Sequence, residues 1–592
     1  MVDNQQASSG VSNTICAKGL RSIALRAAVT GALYSATFAQ ITIGPPIRID
    51  NGRGTQPCNE TTASASPANP LEIITGWNQY VAGGVRAGFG LSLDGGASWS
   101  DFELRPPAPF QSSVEGDPMS AYDARTGTLW AGAMAFSANG GMYVARKDPG
   151  SATFEPAVMA HTANNVDKGW MAAGPGPGDP NSTRVYCAYN FGVVRSADMG
   201  DTWSFPVALG PGIGFLPRVG ASGNVYVASW DFSFQINMHR SLDGGQTFGP
   251  PIKIADRMDV WGIDGTRTPG NFRSPSLVGF AVSPVDESLY VVYPDTTSIE
   301  SNGSNVDVYF SQSTDAGLTW SVPVVINDDA VSPPGDQFFP WIECDEDGGL
   351  HCLFFDTRGV VQNDSDSVGF IDSYYSYSTD AGANWTEHKL TTTPANSGTA
   401  FTGGVFMGDY LGMSVAGHRV IPTYLDTPGG DSDVYTRVIT VGPATEFCMG
   451  IDCPCGNDDG SAGCGNLGFD GQVGTGARLS ATGSANVILG DLALAVDGVN
   501  AGQNGLVYAS TTAGSLPFGD GKRCLLGTVT RFPVRQANTT GRIDYFSQEV
   551  VNLLLGGAVA GSTWHFQGWY RDPGGPCGAH FNLSNALSVT WQ

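Results

Sequence analysis

The sequence predicts an all-β chain in which short antiparallel sheets follow one another around a ring and a smaller β unit comes last. Three observations predict it. An eight-residue pattern, Ser-x-Asp-x-Gly-x-x-Trp/Phe, occurs five times, at 92–99, 196–203, 241–248, 313–320 and 378–385. A second marker, the start of a strand of small and apolar residues, recurs seven times along the same region. The composition agrees: 80 glycines among 592 residues, with 14% charged and little helical periodicity, suits turns and strands.

The chain opens with Lys18, Arg21 and Arg26, then a largely apolar run at 27–36 and Thr37-Phe38-Ala39. This reads as an export signal over 1–39, cleaved after Ala39. Nothing later is apolar for long enough to span a membrane. Each eight-residue box follows alternating residues such as 306–310 and precedes others such as 322–326, so it reads as a hairpin turn. Its glycine supplies the positive φ of the turn. Its aspartate (Asp94, Asp198, Asp243, Asp315 or Asp380) accepts backbone N–H groups, and its aromatic tucks between hairpins. The long step from Asp94 to Asp198 holds a worn copy at 146–154, with Asp148 in the aspartate position.

The second marker counts sheets independently. Innermost strands are expected to start at Glu60, Asp117, Asp167-Lys168-Gly169-Trp170, Pro217-Arg218, Arg273, Asp336 to Trp341, and Asp409-Tyr410. The seventh module has a second strand near 420–424 and a third near 433–440, but no fourth. Gly44-Pro45-Pro46-Ile47-Arg48-Ile49-Asp50 matches the outer strand at 249–255 nearly residue for residue, and is expected to supply the missing strand and remove an open edge. Seven sheets are preferred to six.

The repeated box resembles the Asp-box, or BNR, repeat of the sialidase superfamily, whose members are β-propellers. The resemblance covers about 40–445 and implies a propeller that engages glycans, with exo-α-sialidase or other glycoside hydrolase activity. In that family three arginines clamp the substrate carboxylate, a tyrosine paired with glutamate is the nucleophile, and an aspartate is acid and base. Here Arg218, Arg273 and Arg358 are the arginines available, Tyr410 (or Tyr374 or Tyr375) the hydroxyl, and Asp117 and Asp356 the carboxylates. The Phe/Tyr-Arg-Ile-Pro motif of the family survives only as Ile47-Arg48-Ile49-Asp50.

Read without the resemblance, the strand starts and the loops after the second strands open on the face opposite the boxes. Asp167, Lys168, Trp170, Trp230, Asp336, Trp341 and Asp409 fall there, and carboxylates among aromatic rings suit sugars. Strand-start aspartates also cap backbone amides, and the tryptophans also pack between sheets. The alternative functions are a non-catalytic extracellular recognition protein and a polysaccharide lyase.

A net charge of −25 argues against nucleic acid or an anionic membrane as partner. Acidic turns such as 345–348 and 457–460 suggest that calcium binds, although a solvated acidic loop is the preferred reading of either run. Cys344 and Cys352 flank Gly348 symmetrically and are expected to bridge one hairpin. Six more cysteines, at 448, 453, 455, 464, 524 and 577, lie in a tail over 446–592 where the boxes stop. No second CxxC or histidine pair completes a zinc site, so disulfides in a small β-sandwich are expected, with pairing open. The tail resembles an accessory module of exported bacterial proteins.

Overall fold

The computed structural model describes residues 39–51, 56–258, 275, 277–296, 305–329, 335–358, 369–400, 407–416, 419–460, 462–467 and 473–591, except 484, 486, 488, 489, 491, 548, 551–557 and 560. The export signal expected over 1–39 therefore lies outside the described residues but for Ala39. The chain is all-β in its described parts, with a short α-helix at Ser397–Ala400 and a 3-10 turn at Ala108–Phe110.

Six sheets follow one another, each made of consecutive antiparallel strands. They begin with the first strands Cys58–Ser66, Glu115–Tyr122, Trp170–Gly176, Ile213–Val219, Gly279–Val282 and Gln337–Cys344. A further set, Gly412–Ala416, Arg419–Asp426 and Asp433–Thr436, continues the series. The first strand of each sheet packs against the first strand of the next, and Gly412–Ala416 packs back on Cys58–Ser66. Ile47–Arg48 pairs antiparallel with Asp433–Thr436, Ile47 opposite Thr436 and Arg48 opposite Tyr435. Ile49 is fully buried beside that pairing, and Arg48 is held by Asp50 at 2.9 Å and Asp433 at 2.7 Å.

The five box turns share one hydrogen-bond pattern. The serine hydroxyl donates to the aspartate Oδ1 at 2.7–2.9 Å and accepts the glycine N–H at 2.8–3.0 Å. The seventh residue, Ser98, Thr202, Thr247, Thr319 or Asn384, gives its side-chain donor to Oδ2 at 2.5–2.7 Å and its N–H to Oδ1. The glycine and the residue before it both have positive φ, including Met199, Ala316 and Ala381. These turns also join sheets: Trp130 Nε1 donates to Met199 O, Arg195 to Gly245 O and Arg419 to Gly95 O, each reaching from the preceding sheet.

The worn copy is built differently from its expected alignment. In three box sheets the serine lies opposite the first residue of the second strand: Ser241 opposes Val225, Ser313 opposes Leu289 and Ser378 opposes Leu350. In the second sheet that seat, opposite Leu129, belongs to Lys147. Its buried ammonium pairs with Glu72 of the first sheet, and Glu72 also accepts Gly150 N–H at 3.2 Å. An inter-sheet ion pair replaces the serine–aspartate lock.

Ile439–Phe447 leaves the last set and runs on into the tail, pairing with Arg419–Asp426, with Ala39–Ile43 and with Phe581–Thr590. In the tail, strands Phe581–Thr590, Thr563–Arg571 and Asn504–Ser510 form one layer, and Arg478–Thr482, Ala493–Asp497 and Ile543–Tyr545 the other. Leu479, Leu494, Val507, Phe566 and Leu587 share the core between them. Disulfides join Cys448 to Cys524, Cys453 to Cys464 and Cys455 to Cys577. The bridge expected between Cys344 and Cys352 is corrected: both are free thiols. Cys344 lies opposite Leu350 and Cys352 opposite Ile342, so the two are diagonal across the hairpin.

Candidate functional site at the mouth of the first strands

A local backbone device sets the site. At the entrance of several first strands the register slips, between Asn59 and Thr62, Gly116 and Met119, Ile213 and Leu216, and Phe338 and Trp341. Within these bulges sit Glu60, Asp117, Gly214 and Phe339, all with positive φ, and Lys168 has the same conformation just before its strand. A left-handed conformation costs a non-glycine residue roughly 1–2 kcal/mol, so its recurrence at charged residues marks a place where the surrounding fold imposes it. Gly408 completes the ring of contacts: a Cβ there would meet the Glu60 backbone nitrogen at 2.8 Å.

Residues from three other sheets, Glu60, Asp117 and Asp409, gather around Lys168 of the third. Lys168 Nζ lies 3.2 Å from Glu60 Oε1 and 2.5 Å from Asp409 Oδ2, with all three side chains buried. Asn78 donates to Glu60 Oε2 at 2.8 Å and accepts the Asp117 N–H at 2.7 Å. Asp117 Oδ2 accepts the Lys168 N–H at 3.0 Å. Burial alone would neutralise Lys168, but Glu60, Asp117 and Asp409 outweigh it and hold the ammonium charged. Burial raises the Glu60 carboxyl, and the Lys168 ammonium opposes that rise.

Asp167 is the most accessible carboxyl of the group. Burial first, then the charge of Asp117 and a hydrogen bond to it, pushes Asp167 up to about 6, with Lys168 opposing. Below the group, Tyr410 and Trp170 pack ring against ring at 5.1 Å, with Lys168 Nζ 5.5 Å from the Tyr410 ring. Both rings are buried, and among the described residues neither the Tyr410 hydroxyl nor the Trp170 indole N–H has a hydrogen-bond partner. Burial, then Asp117 and Glu60, raises the Tyr410 phenol well above its usual value, so it stays a proton donor.

The other expected residues lie elsewhere. Arg218 pairs with Glu343 at 2.7 Å and lies over Trp341, whose indole donates to the same Glu343 at 2.8 Å. Arg358 pairs with Asp356 at 2.6 Å and Glu387 at 2.8 Å, and lies 4.5 Å over Tyr374. Burial raises Asp356 to about 6, with Arg358 opposing. Glu343 lies opposite His351, and Asp356 opposite Gln337, so these arginines hold opposite ends of one strand pair, roughly 20 Å apart by strand rise. Arg273 lies outside the described residues. The structure does not bring Arg218 and Arg358 together, and Tyr410 has no glutamate on its hydroxyl. The Tyr375 hydroxyl is hydrogen-bonded to Nδ1 of buried His351 at 2.7 Å.

Asp336 serves the backbone: Oδ1 accepts Val306 N–H at 3.1 Å. Trp230 and Trp341 belong to the core. A cavity of about 360 Å³ lies at the far ends of the first strands, beneath Trp170, and its wall includes Arg218, Trp341 and Glu343 rather than the carboxylates of the mouth. The acidic turns are occupied by their own backbone. Asp345 accepts Asp347 and Gly349 N–H groups and holds His351 at 3.0 Å. Asp458 accepts Cys453 N–H, and Asp459 accepts Gly476 N–H. The sequence reading named Glu60 only as a strand start and missed Asn78 as the bridge; an asparagine closing the second strand was its visible signal.

No family model and no curated protein matches this chain. Among solved structures, the lectin BP39L of Burkholderia pseudomallei is 14% identical at TM-score 0.40, over 65% of this chain and 96% of that one. The intramolecular trans-sialidase of Ruminococcus gnavus is 13% identical at 0.33, over 64% and 94%. The α-L-arabinanase of Penicillium chrysogenum is 12% identical at 0.36, over 69% and 99%.

Proposed function

We propose that this chain is an exported carbohydrate-binding protein that acts on glycosidic bonds, with the mouth as its site and Asp167 as its acid. One observation carries the reading: a half-buried carboxyl pushed up to about 6 sits beside three further carboxyl groups, above buried aromatic donors without partners among the described residues. A protonated carboxyl at the surface of such a group can give its proton to a leaving glycosidic oxygen. As that C–O bond breaks, positive charge grows on the sugar ring, and Asp117 with its neighbours stabilises it. Water then adds its hydroxyl to the anomeric carbon and returns a proton to Asp167. Lys168 holds Glu60 and Asp409 in place throughout.

The exo-α-sialidase form of this reading is the less supported one, because Arg218 and Arg358 are separately paired at opposite ends of their sheet. Non-catalytic recognition is favoured by a different observation: Lys168 already occupies two of the four carboxylates. The two are separated by incubating the protein with neutral, amino and acidic oligosaccharides and following both binding and reducing ends. Turnover lost in Asp167→Asn with binding retained supports the acid role. Turnover unchanged in that variant excludes it, and binding without turnover leaves recognition. If no sugar binds, the glycan reading falls.

The architecture under this reading is a seven-bladed propeller over 40–445, closed by the N-terminal strand, with 446–592 as an accessory domain. The cyclic order of first strands and the pairing of 47–48 with 433–436 support it. Deleting 40–52 should cost several kcal/mol and promote aggregation through an unpaired edge. A deletion variant that melts like the parent would return the count to six. Export is supported by the three tail disulfides, and no described helix is long and apolar enough to cross a membrane.

A further inference from the structure

The charge of the mouth chooses among sugars. We propose that the site takes sugars bearing free amines, binds neutral sugars less well, and rejects sugars bearing carboxylates. The inference rests on the glycan reading above and deepens it by naming the class of ligand. Among the described residues, Glu60, Asp117, Asp167 and Asp409 gather around one ammonium, Lys168, so carboxyl groups outnumber cations four to one and an excess of negative charge remains with Asp167 protonated. The two described arginines that would otherwise attract an anionic sugar, Arg218 and Arg358, are each committed to their own carboxylates away from this group.

The acidic group is joined by an independent sign of a ligand. The Tyr410 hydroxyl and Trp170 indole N–H are both more than nine-tenths buried, unpartnered and packed against the charged group. Both are donors, and buried donors normally have acceptors. A sugar hydroxyl or ring oxygen is such an acceptor, while an amine on the same ring finds its counter-charge at Asp167, the carboxyl most open to solvent. An anionic sugar would bring like charge into a partly desolvated acidic site, where repulsion is strongest.

Titration calorimetry on the full chain tests this with three probes of matched length: fully deacetylated glucosamine oligomers, their N-acetylated counterparts, and oligogalacturonate. The amine form should bind at least tenfold more tightly than the acetylated form at low salt, with the gap narrowing as salt rises. Oligogalacturonate should show no binding. In Asp167→Asn the amine preference should fall to about threefold or less while the acetylated form still binds. Equal affinity for the amine and acetylated forms, or tighter binding of the anionic probe, overturns the charge selection and leaves the glycan site standing. Binding of none of the three overturns both.

Discussion

The rim of box turns and the mouth are opposite ends of the same sheets, and their carboxylates are treated in opposite ways. On the rim each aspartate is at least partly solvent-exposed, takes the same pattern of backbone and side-chain donors, and ionises more easily than usual; Asp243 and Asp315 fall to about 2. At the mouth the carboxylates come from different sheets, are mostly buried, and Asp167 is pushed up to about 6. The rim aspartates serve their own turns and stabilise the fold. The mouth spends stability on left-handed backbone, buried charge and unsatisfied donors, which is the pattern of a site selected for something other than folding.

Breaking the mouth at its centre should have the largest effect. Lys168→Met leaves Glu60 and Asp409 buried without their counter-charge and should destabilise by about 3–5 kcal/mol, read from urea unfolding. Adding Asp409→Asn should recover part of that loss. If Lys168→Met alone costs under 1 kcal/mol, the ammonium is not the keystone argued here.

The rim has one buried ion pair of its own, and it sharpens the contrast. Lys147→Met removes the partner of a single carboxylate, Glu72, which keeps the Gly150 N–H. A loss of about 2–3 kcal/mol is expected, smaller than at Lys168 because fewer charges are stranded. An equal or larger loss would mean that the mouth is no more strained than the rim.

These two lysines also show what the sequence made legible. The box turns could be read because the serine, aspartate and seventh-residue hydrogen bonds that shape them close within eight residues. Even there the seventh position, always Ser, Thr or Asn, was a visible polar signal that the pattern left as x. Lys147 was hidden because its partner lies on another sheet, and strand register, not alignment, assigns it the serine seat. Lys168 and Asp409 were found as strand starts, but nothing in the chain says that they touch, since the contact depends on how the ring brings the last sheet to the third. The three-arginine cluster was drawn from a resemblance of repeats, and repeats specify the scaffold rather than side chains in loops.

Asp167 gives the next effect in size. Its folded value lies above the unfolded one near 3.8, so the folded state holds this proton more tightly. Its contribution therefore falls as pH rises from about 4 through about 6. Asp167→Asn should gain about 1–2 kcal/mol at pH 7.5, after allowance for partial exposure, and nothing at pH 4. Melting curves of both proteins at the two pH values decide it, and a variant equally or less stable at pH 7.5 would contradict the raised carboxyl.

The rim aspartates should show the reverse sign with the smallest effect. Asp243 is partly exposed, but its oxygens accept Ser241, Thr247 and two backbone N–H groups, and these bonds favour the charged form. A carboxyl with a depressed folded value contributes stability above its unfolded value near 3.8 and loses it as pH falls through about 2. Asp243→Asn keeps the shape and some accepting capacity while removing the charge, so the cost at pH 7 should be about 1 kcal/mol, well under the cost at Lys168. The difference between variant and parent should shrink below pH 4 and vanish near pH 2. Asp198→Asn should behave alike, since its turn repeats the same bonds. A cost that stays constant down to pH 2 would show that the turn needs the aspartate's shape rather than its charge, and the electrostatic contrast between rim and mouth would then hold at the mouth alone.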